Sequence, residues 1–305
     1  MATPSKSWWQ LLKQTASEWS EDKAPRLGAA LAYYTALSIS PLAILSLRIA
    51  STVFGDEAAR GEIERQARHM VGDDGARAIQ AMVESANQPG KGTVAAIVGI
   101  ATLLFGASGV FGQLQDSLNT IWEVQPKPGR GIVGFLKDRV FSFTMVMGCA
   151  FLLLVSLAVT TILTAATNYA SQWTGGLPFV AGALNTVVSL VVITLIFALL
   201  FKVVPDAEIS WRDVWIGAAL TAILFTIGKF ALGQYLVRSS IASSYGVAGS
   251  LIVLLVWVYY TSQIVFFGAE FTQVYANQHG RRIEPSPNAM PVTQAQRDQQ
   301  GMPAA

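Results

Sequence analysis

The chain alternates long apolar runs with short polar joints. Six runs are long enough to cross a bilayer as helices, which takes about 20 apolar residues each. They fall at about 26–54, 93–112, 139–166, 177–204, 211–237 and 246–276. The last run organises the rest. From Gly246 to Gly268 it carries no charge, and it then meets one acid, Glu270, before the chain turns polar. On a helix, Tyr259, Gln263 and Glu270 share one face. A polar stripe in lipid needs protein or water beside it, so this span is expected to pack against the others. The first run holds Pro41 at its middle, where a helix kinks or loosens, among Tyr33, Tyr34, Thr35, Ser38 and Ser40. The predicted fold is all-α, a polytopic membrane protein built as a six-transmembrane-helix bundle.

The flanking segments have their own periods. In residues 1–25, Trp8, Leu11, Leu12, Thr15 and Trp19 lie on one helical face, ringed by Lys6, Lys13, Glu18 and Glu21. That pattern predicts an amphipathic N-terminal helix, either lying in the membrane interface on its tryptophans or packed on the protein's own polar end. Residues 26–280 make the membrane domain. Its longest loop, 55–91, is charged but periodic: Ile63, Ala67, Met70 and Val71 form one stripe, and Ile79, Met82, Val83 and Ala86 a second. Two short helices capping one side of the bundle are expected there. Residues 281–305 are rich in Pro, Gln and Ala without an apolar period, so a disordered tail is expected.

Composition agrees with the pattern. The 305 residues are 52% hydrophobic and 13% charged, where soluble domains carry roughly a quarter charged residues. Charge placement sets the orientation. Six spans put both termini on one side, and the segments on that side hold about 13 Lys and Arg against about 6 on the other. The termini are therefore expected in the cytoplasm and loop 55–91 in the periplasm. Cys149 stands alone in an apolar run, and His69 and His279 fit no metal-ligand spacing. Neither a metal nor a cofactor is expected.

Four blocks resemble the YihY/BrkB family of bacterial inner-membrane proteins: GAALAYYTALSISPLAIL, FGASGVFGQLQDSLNTIW, ISWRDVWIGAALTAILFTIGKF and SSYGVAGSLIVLLVWVYYTSQIVFFGAEF. They occur in the family's order and cover well over half of the span-forming sequence. The resemblance implies six spans and an inner-membrane location. Proteins of this kind were once labelled ribonuclease BN, some are called virulence factors, and some are linked to export of lipid or lipopolysaccharide precursors.

Depth along the helices sorts the charges. At 1.5 Å per residue, Lys229 lies roughly 27 Å beyond Trp211 and Arg48 roughly 33 Å beyond Arg26, both toward the outer face. Glu270 lies roughly 36 Å beyond Gly246, near the inner face. A Lys229–Glu270 pair is therefore not expected. Arg26, Lys202 or Arg139 are the expected partners of Glu270. The candidate substrate or cavity residues are Tyr33, Ser38, Pro41, Arg48, Lys229, Tyr259, Gln263 and Glu270, with Tyr259 and Gln263 expected to face the Pro41 kink. Arg48 and Lys229 suit an anionic lipid headgroup or solute, or serve as snorkelling side chains. Glu270 suits a structural clamp on the helix ends, or a place in the substrate cavity.

These features predict a transporter or lipid translocator, driven by an ion gradient or a partner because the chain has no P-loop. A non-catalytic scaffold for envelope assembly is the alternative. Its partners would be membrane lipids, further copies of the chain or envelope proteins. A ribonuclease is not expected, because no basic-aromatic nucleic-acid surface and no histidine-based metal constellation is present.

Overall fold

A computed structural model of the chain describes residues 7–55, 109–128, 178–238, 249–279 and 283–302, with a few positions between 61 and 144. The third span, most of the second and nearly all of the 55–91 loop lie outside the described residues. So do the side chains of Pro41 and Arg48.

Helix α1 spans Trp8–Glu21 and starts where the Ser7 backbone N–H donates to Gln10 Oε1 at 3.0 Å, a reciprocal cap that satisfies an orphan donor. Helix α2, Ala24–Phe54, begins with proline in its first turn and runs unbroken through Pro41. Residues 109–121 form α3, followed by strand β1, Val124–Pro126. Helix α4 is Pro178–Val203, strand β2 Ala207–Glu208, helix α5 Trp211–Arg238 and helix α6 Gly249–Gln278. Among the described residues, α4, α5 and α6 each contain a segment long and apolar enough to cross a membrane.

Helix α6 is the hub, packing against α1, α2 and α5, while α4 covers the other side of α5. The α5–α6 contact is antiparallel and built from two matching pentapeptides, Gly217-Ala-Ala-Leu-Thr221 and Gly268-Ala-Glu-Phe-Thr272. Thr272 sits over Gly217, and Thr221 over Gly268. Each threonine hydroxyl donates to the carbonyl four residues back, Gly217 or Gly268, at 2.7 Å. Its polar atom is thereby spent inside its own helix, and the side chain acts as a knob for the glycine opposite. Small residues let membrane helices approach closely in this way.

The tail does not follow the disorder expected of it. It folds back as β3, Glu284–Pro285, β4, Ala289–Pro291, and α7, Gln294–Gln299. Strand β4 pairs antiparallel with β1, setting Val124 against Pro291 and Pro126 against Ala289; β3 pairs with β2, setting Glu208 against Glu284. Low hydrophobicity argues for disorder only when a segment must make its own core. Here the ladders supply backbone partners and Arg297 supplies an anchor.

Candidate functional site

The described site residues separate into three places. Tyr33 and Tyr34 meet edge to face, centroids 5.8 Å apart, and both are exposed. Tyr259 is also exposed. These tyrosines lie on the surface of the described bundle, outside the α2–α6 seam. Ser38 is buried and faces Gly109 of α3, whose position leaves 3.5 Å to the serine oxygen for a methyl group.

Gln263 faces Gly28 of α2, not the Pro41 level. Pro41 lies thirteen residues further along the same helix, roughly 20 Å away. The amide of Gln263 is buried without a hydrogen bond from any described residue. The seam here is closed by close packing.

The α5–α6 register sets Lys229 level with about Tyr260, since Gly228 packs against Tyr260 and Ile264. Glu270 is some ten residues further along, roughly 15 Å. The two charges occupy different depths.

Glu270 lies at the polar end of the bundle and is 0% exposed. Neither carboxylate oxygen accepts a hydrogen bond from a described residue. The charges acting on it are Asp22, Glu18, Arg297 and Glu123, in that order. Arg26 and Lys202 are not among them. Arg26 is exposed, and Lys202 Nζ donates to the Ile209 carbonyl. Arg139 lies outside the described residues. Among the described residues, the cation whose charge acts on Glu270 is Arg297 of the tail.

Arg297 is 5% exposed and divides its guanidinium between two acids. Its Nη2 donates to Asp22 at 2.9 Å and its Nη1 to Glu123 at 2.8 Å. Charge-assisted bonds of this length are strong and directional. The surrounding contacts fix the clasp. Lys23 Nζ donates to the Gln300 carbonyl at 2.7 Å, Lys127 Nζ to the Pro287 carbonyl at 2.9 Å, and the Val292 N–H to the Glu123 carbonyl at 2.8 Å. Lys23 and Glu123 both hold φ near +55°, the two non-glycine residues with positive φ among those described. That conformation costs about 1–2 kcal/mol for an L-residue, and both are tied to the tail. Asp206, which closes α4, accepts from Asn119 at 3.0 Å, and its carbonyl accepts from Ser286 at 2.9 Å. Four polar segments therefore meet at one end: the α1–α2 joint, the end of α3, the α4–α5 joint and the tail.

Burial pushes the Asp22 carboxyl up to about 6 against the opposing pull of Arg297, with Glu123 and Glu18 adding to the rise. A carboxyl raised in this way holds its proton more tightly in the closed clasp than in an open one. Closure is therefore favoured as pH falls through about 6, and the gain is complete near the ordinary carboxylate value of about 4. Hydrogen exchange in 283–302, corrected for its intrinsic pH dependence, is expected to slow over that window. Asp22→Asn is expected to remove the dependence. Exchange that instead quickens on acidification would show the ion pair outweighing the cost of burying it.

Two cavities of about 250 Å³ open at this end. One is lined by Asp116, Asn119, Glu123, Gln125, Arg297 and Gln300, among others, and the second by Lys202, Glu208, Ser210, Asp213 and Glu284 with apolar neighbours. Burial raises the Asp116 carboxyl above its ordinary value. Among the described residues, no group of three or more His, Cys, Asp or Glu could hold a metal ion.

Sequence reading singled out Glu270 but missed Arg297, Asp22 and Glu123. One local signal for the tail was present: Thr293 with Gln296 three residues on, the pattern of a helix start, realised as a Thr293 N–H to Gln296 Oε1 bond of 2.9 Å.

The family model for Virulence factor BrkB matches residues 15–293, a range that takes in strands β3 and β4 as well as the spans. The UPF0761 membrane protein of Ralstonia nicotianae is 25% identical over 253 residues, covering 82% of this chain and 55% of the relative. That of Alcanivorax borkumensis is 26% identical over 272 residues, covering 87% and 61%, and that of Vibrio cholerae 31% over 253 residues, covering 79% and 78%. The chain thus spans little more than half the length of the Ralstonia and Alcanivorax relatives. No solved structure matches it. With apolar helices of spanning length and this match along nearly its whole course, the chain is a multi-pass membrane protein and belongs to the Virulence factor BrkB family.

Proposed function

We propose that the protein is a six-span inner-membrane protein, both termini cytoplasmic, that transports or translocates a lipid or an anionic solute. Arg48 and Lys229 would meet the anionic group in the outer half, and Glu270 would serve as the ionisable group at the inner end. The observation that carries this reading is Glu270: a carboxyl wholly buried within a span, without a hydrogen bond from the described residues. Such a group is costly in a purely structural role, and intramembrane ionisable residues mark ion and substrate pathways. The chain has no nucleotide-binding loop, so an ion gradient acting through such a group is the drive the residues can provide.

The meeting of four polar segments at one end supports the topology, because six spans place those same segments on one side. Exposed tryptophans support the membrane level. Trp8 and Trp9 of α1 are 64% and 75% exposed, and Trp211 and Trp215 at the start of α5 are also exposed. Trp8 stacks on Phe271 and Tyr275 at 6.2 and 6.4 Å, the depth opposite the start of α5. Indoles collect at the interface. Single-tryptophan variants in bilayers are expected to be quenched by lipids brominated near the headgroup. Quenching of Trp9 by aqueous iodide alone would place α1 in water.

The transport reading is tested in vesicles. Reconstituted protein is expected to move fluorescent anionic phospholipid between leaflets, or an anionic solute across them, faster than empty vesicles do. Arg48→Gln with Lys229→Gln is expected to abolish this while the fold persists. Unchanged movement in the folded double variant ends the assignment of those two residues, and equal rates with and without protein end the transport reading. The closed seam at Gln263 and Gly28 favours a scaffold as the second reading, in which partner capture survives and no flux is seen.

A further inference from the structure

We infer that the cavity at the α4–α5 joint is a binding site for a primary ammonium group, brought either by an aminophospholipid headgroup or by a free amine. The inference goes beyond the transport reading and does not rest on it. Asp213, in the first turn of α5, stands sixteen residues before Lys229, roughly 24 Å along the helix.

The cavity, about 250 Å³, is walled by the end of α4, strands β2 and β3, and the first turn of α5, and Glu208, Asp213 and Glu284 all line it. The ladder sets Glu208 directly against Glu284. Residues paired in this way project on the same side of a sheet with Cβ atoms about 5 Å apart, and like charges placed there are destabilising. Asp213 adds a third acid. It is 6% exposed, yet no described residue makes a hydrogen bond or ion pair with its carboxylate. A carboxylate buried in that state is costly. Among the described wall residues the cation is Lys202. Its Nζ donates to the Ile209 carbonyl and lies 5.9 Å from the centre of the Trp211 ring, and it pairs with none of the three acids. The described wall therefore turns an excess of negative charge toward the cavity.

The arrangement of the acceptors selects the kind of cation. No three described acids form a set that could hold a metal ion, so these acids ring a space instead of converging on a point. An ammonium group on a carbon stem suits that space. It offers three N–H donors to three carboxylates, and about 250 Å³ leaves room for the stem. A quaternary ammonium has the same charge and no donor. The level is that of lipid headgroups: Trp211, whose ring lies by Lys202, is 47% exposed and Trp215 43%, and indoles collect at the interface. The remaining N–H groups of Lys202 suit the phosphate that adjoins the amine in such a headgroup. Glu208 and Glu284 are exposed, which leaves the same carboxylates open to an amine arriving from water.

The test is hydrogen exchange in the β2–β3 ladder of the full chain, reconstituted in phosphatidylcholine vesicles at neutral pH and constant ionic strength. Phosphatidylethanolamine added to the vesicles, or ethanolamine added to the water, is expected to slow exchange, by about tenfold at ten times the dissociation constant. Slowing by the lipid alone assigns the headgroup, and equal slowing by ethanolamine assigns a free amine; either result supports the site. Choline is expected to have no effect. Asp213→Asn is expected to lose the response. Glu208→Gln is expected to slow exchange before any amine is added, because it removes the repulsion from Glu284, and to weaken the response that follows. Faster exchange in Glu208→Gln without amine overturns the proposal, since Glu208 would then already be paired within the fold. Slowing by choline or magnesium equal to that by ethanolamine also overturns it, as simple charge screening, and so does the absence of slowing by both the lipid and ethanolamine. The exchange is read without flux, so its outcome and that of the vesicle transport assay stand apart.

Discussion

Gly217→Ala or Gly268→Ala lowers the unfolding stability of the protein in lipid–detergent micelles by about 1–3 kcal/mol, the usual cost of forcing atoms into a filled core. The cause is local. A methyl group on Gly217 collides with Thr272 Oγ1 and comes within 2.8 Å of its Cβ; one on Gly268 meets Thr221 in the same way. Neither threonine can turn aside cheaply, because its hydroxyl is bonded to its own helix at 2.7 Å and β-branching leaves few rotamers. The glycines are in ordinary helical backbone, so the penalty is one of contact and not of conformation. Removing the opposing side chain separates the two. Thr272→Ala in the Gly217→Ala background is expected to recover part of the loss, though the alanine Cβ atoms remain tight. Equal losses with and without Thr272→Ala would mean that α5 and α6 do not meet in this register. Gly233, which has no described residue within 4 Å of an added Cβ, serves as the control and is expected to tolerate alanine.

The second large effect is at the tail. Arg297→Ala is expected to cost about 3–5 kcal/mol at neutral pH, as is usual when one partner of a buried pair is removed. Asp22 would be left buried and Glu123 would hold a left-handed backbone without its anchor. Two comparisons isolate the charge. In an Asp22→Asn background the cost is expected to shrink, because no buried anion remains. At pH near 5 it is also expected to shrink, because Asp22 there carries a proton. A cost below about 1 kcal/mol would be that of a surface ion pair, and would mean that the clasp is open in the membrane.

The long apolar helices were legible in the sequence because hydrophobic length and period are local properties. In α1 the buried positions are Leu11 and Thr15, while Trp8 of the expected stripe is exposed. Helix α1 packs on α6 through Leu11, Phe271, Val274 and Tyr275, a partner that no local pattern in residues 1–25 names. What could not be read was register and return. The Gly-x-x-x-Thr pair is visible on both helices once its mate is known, yet nothing local says which glycine a threonine will meet. Arg297 lies 275 positions from Asp22 and 174 from Glu123. A tail poor in apolar residues therefore looked disordered, although its stability is borrowed from strands and acids far away in the chain. Gln263 was set against Pro41 by its polarity, whereas close packing at Gly28 decided its position.

The clasp also imposes an order in time. Asp22 leaves the ribosome 275 residues ahead of Arg297. At the usual rate of synthesis that interval is roughly 15–55 s. Membrane insertion of the apolar helices between them must proceed with the acidic half of the clasp unanswered, and the polar end of the bundle closes only after α6 is in place. A chain stalled or cut before residue 297 would be inserted but unlatched, leaving Asp22, Glu123 and the strand edges of β1 and β2 open to chaperones and membrane proteases.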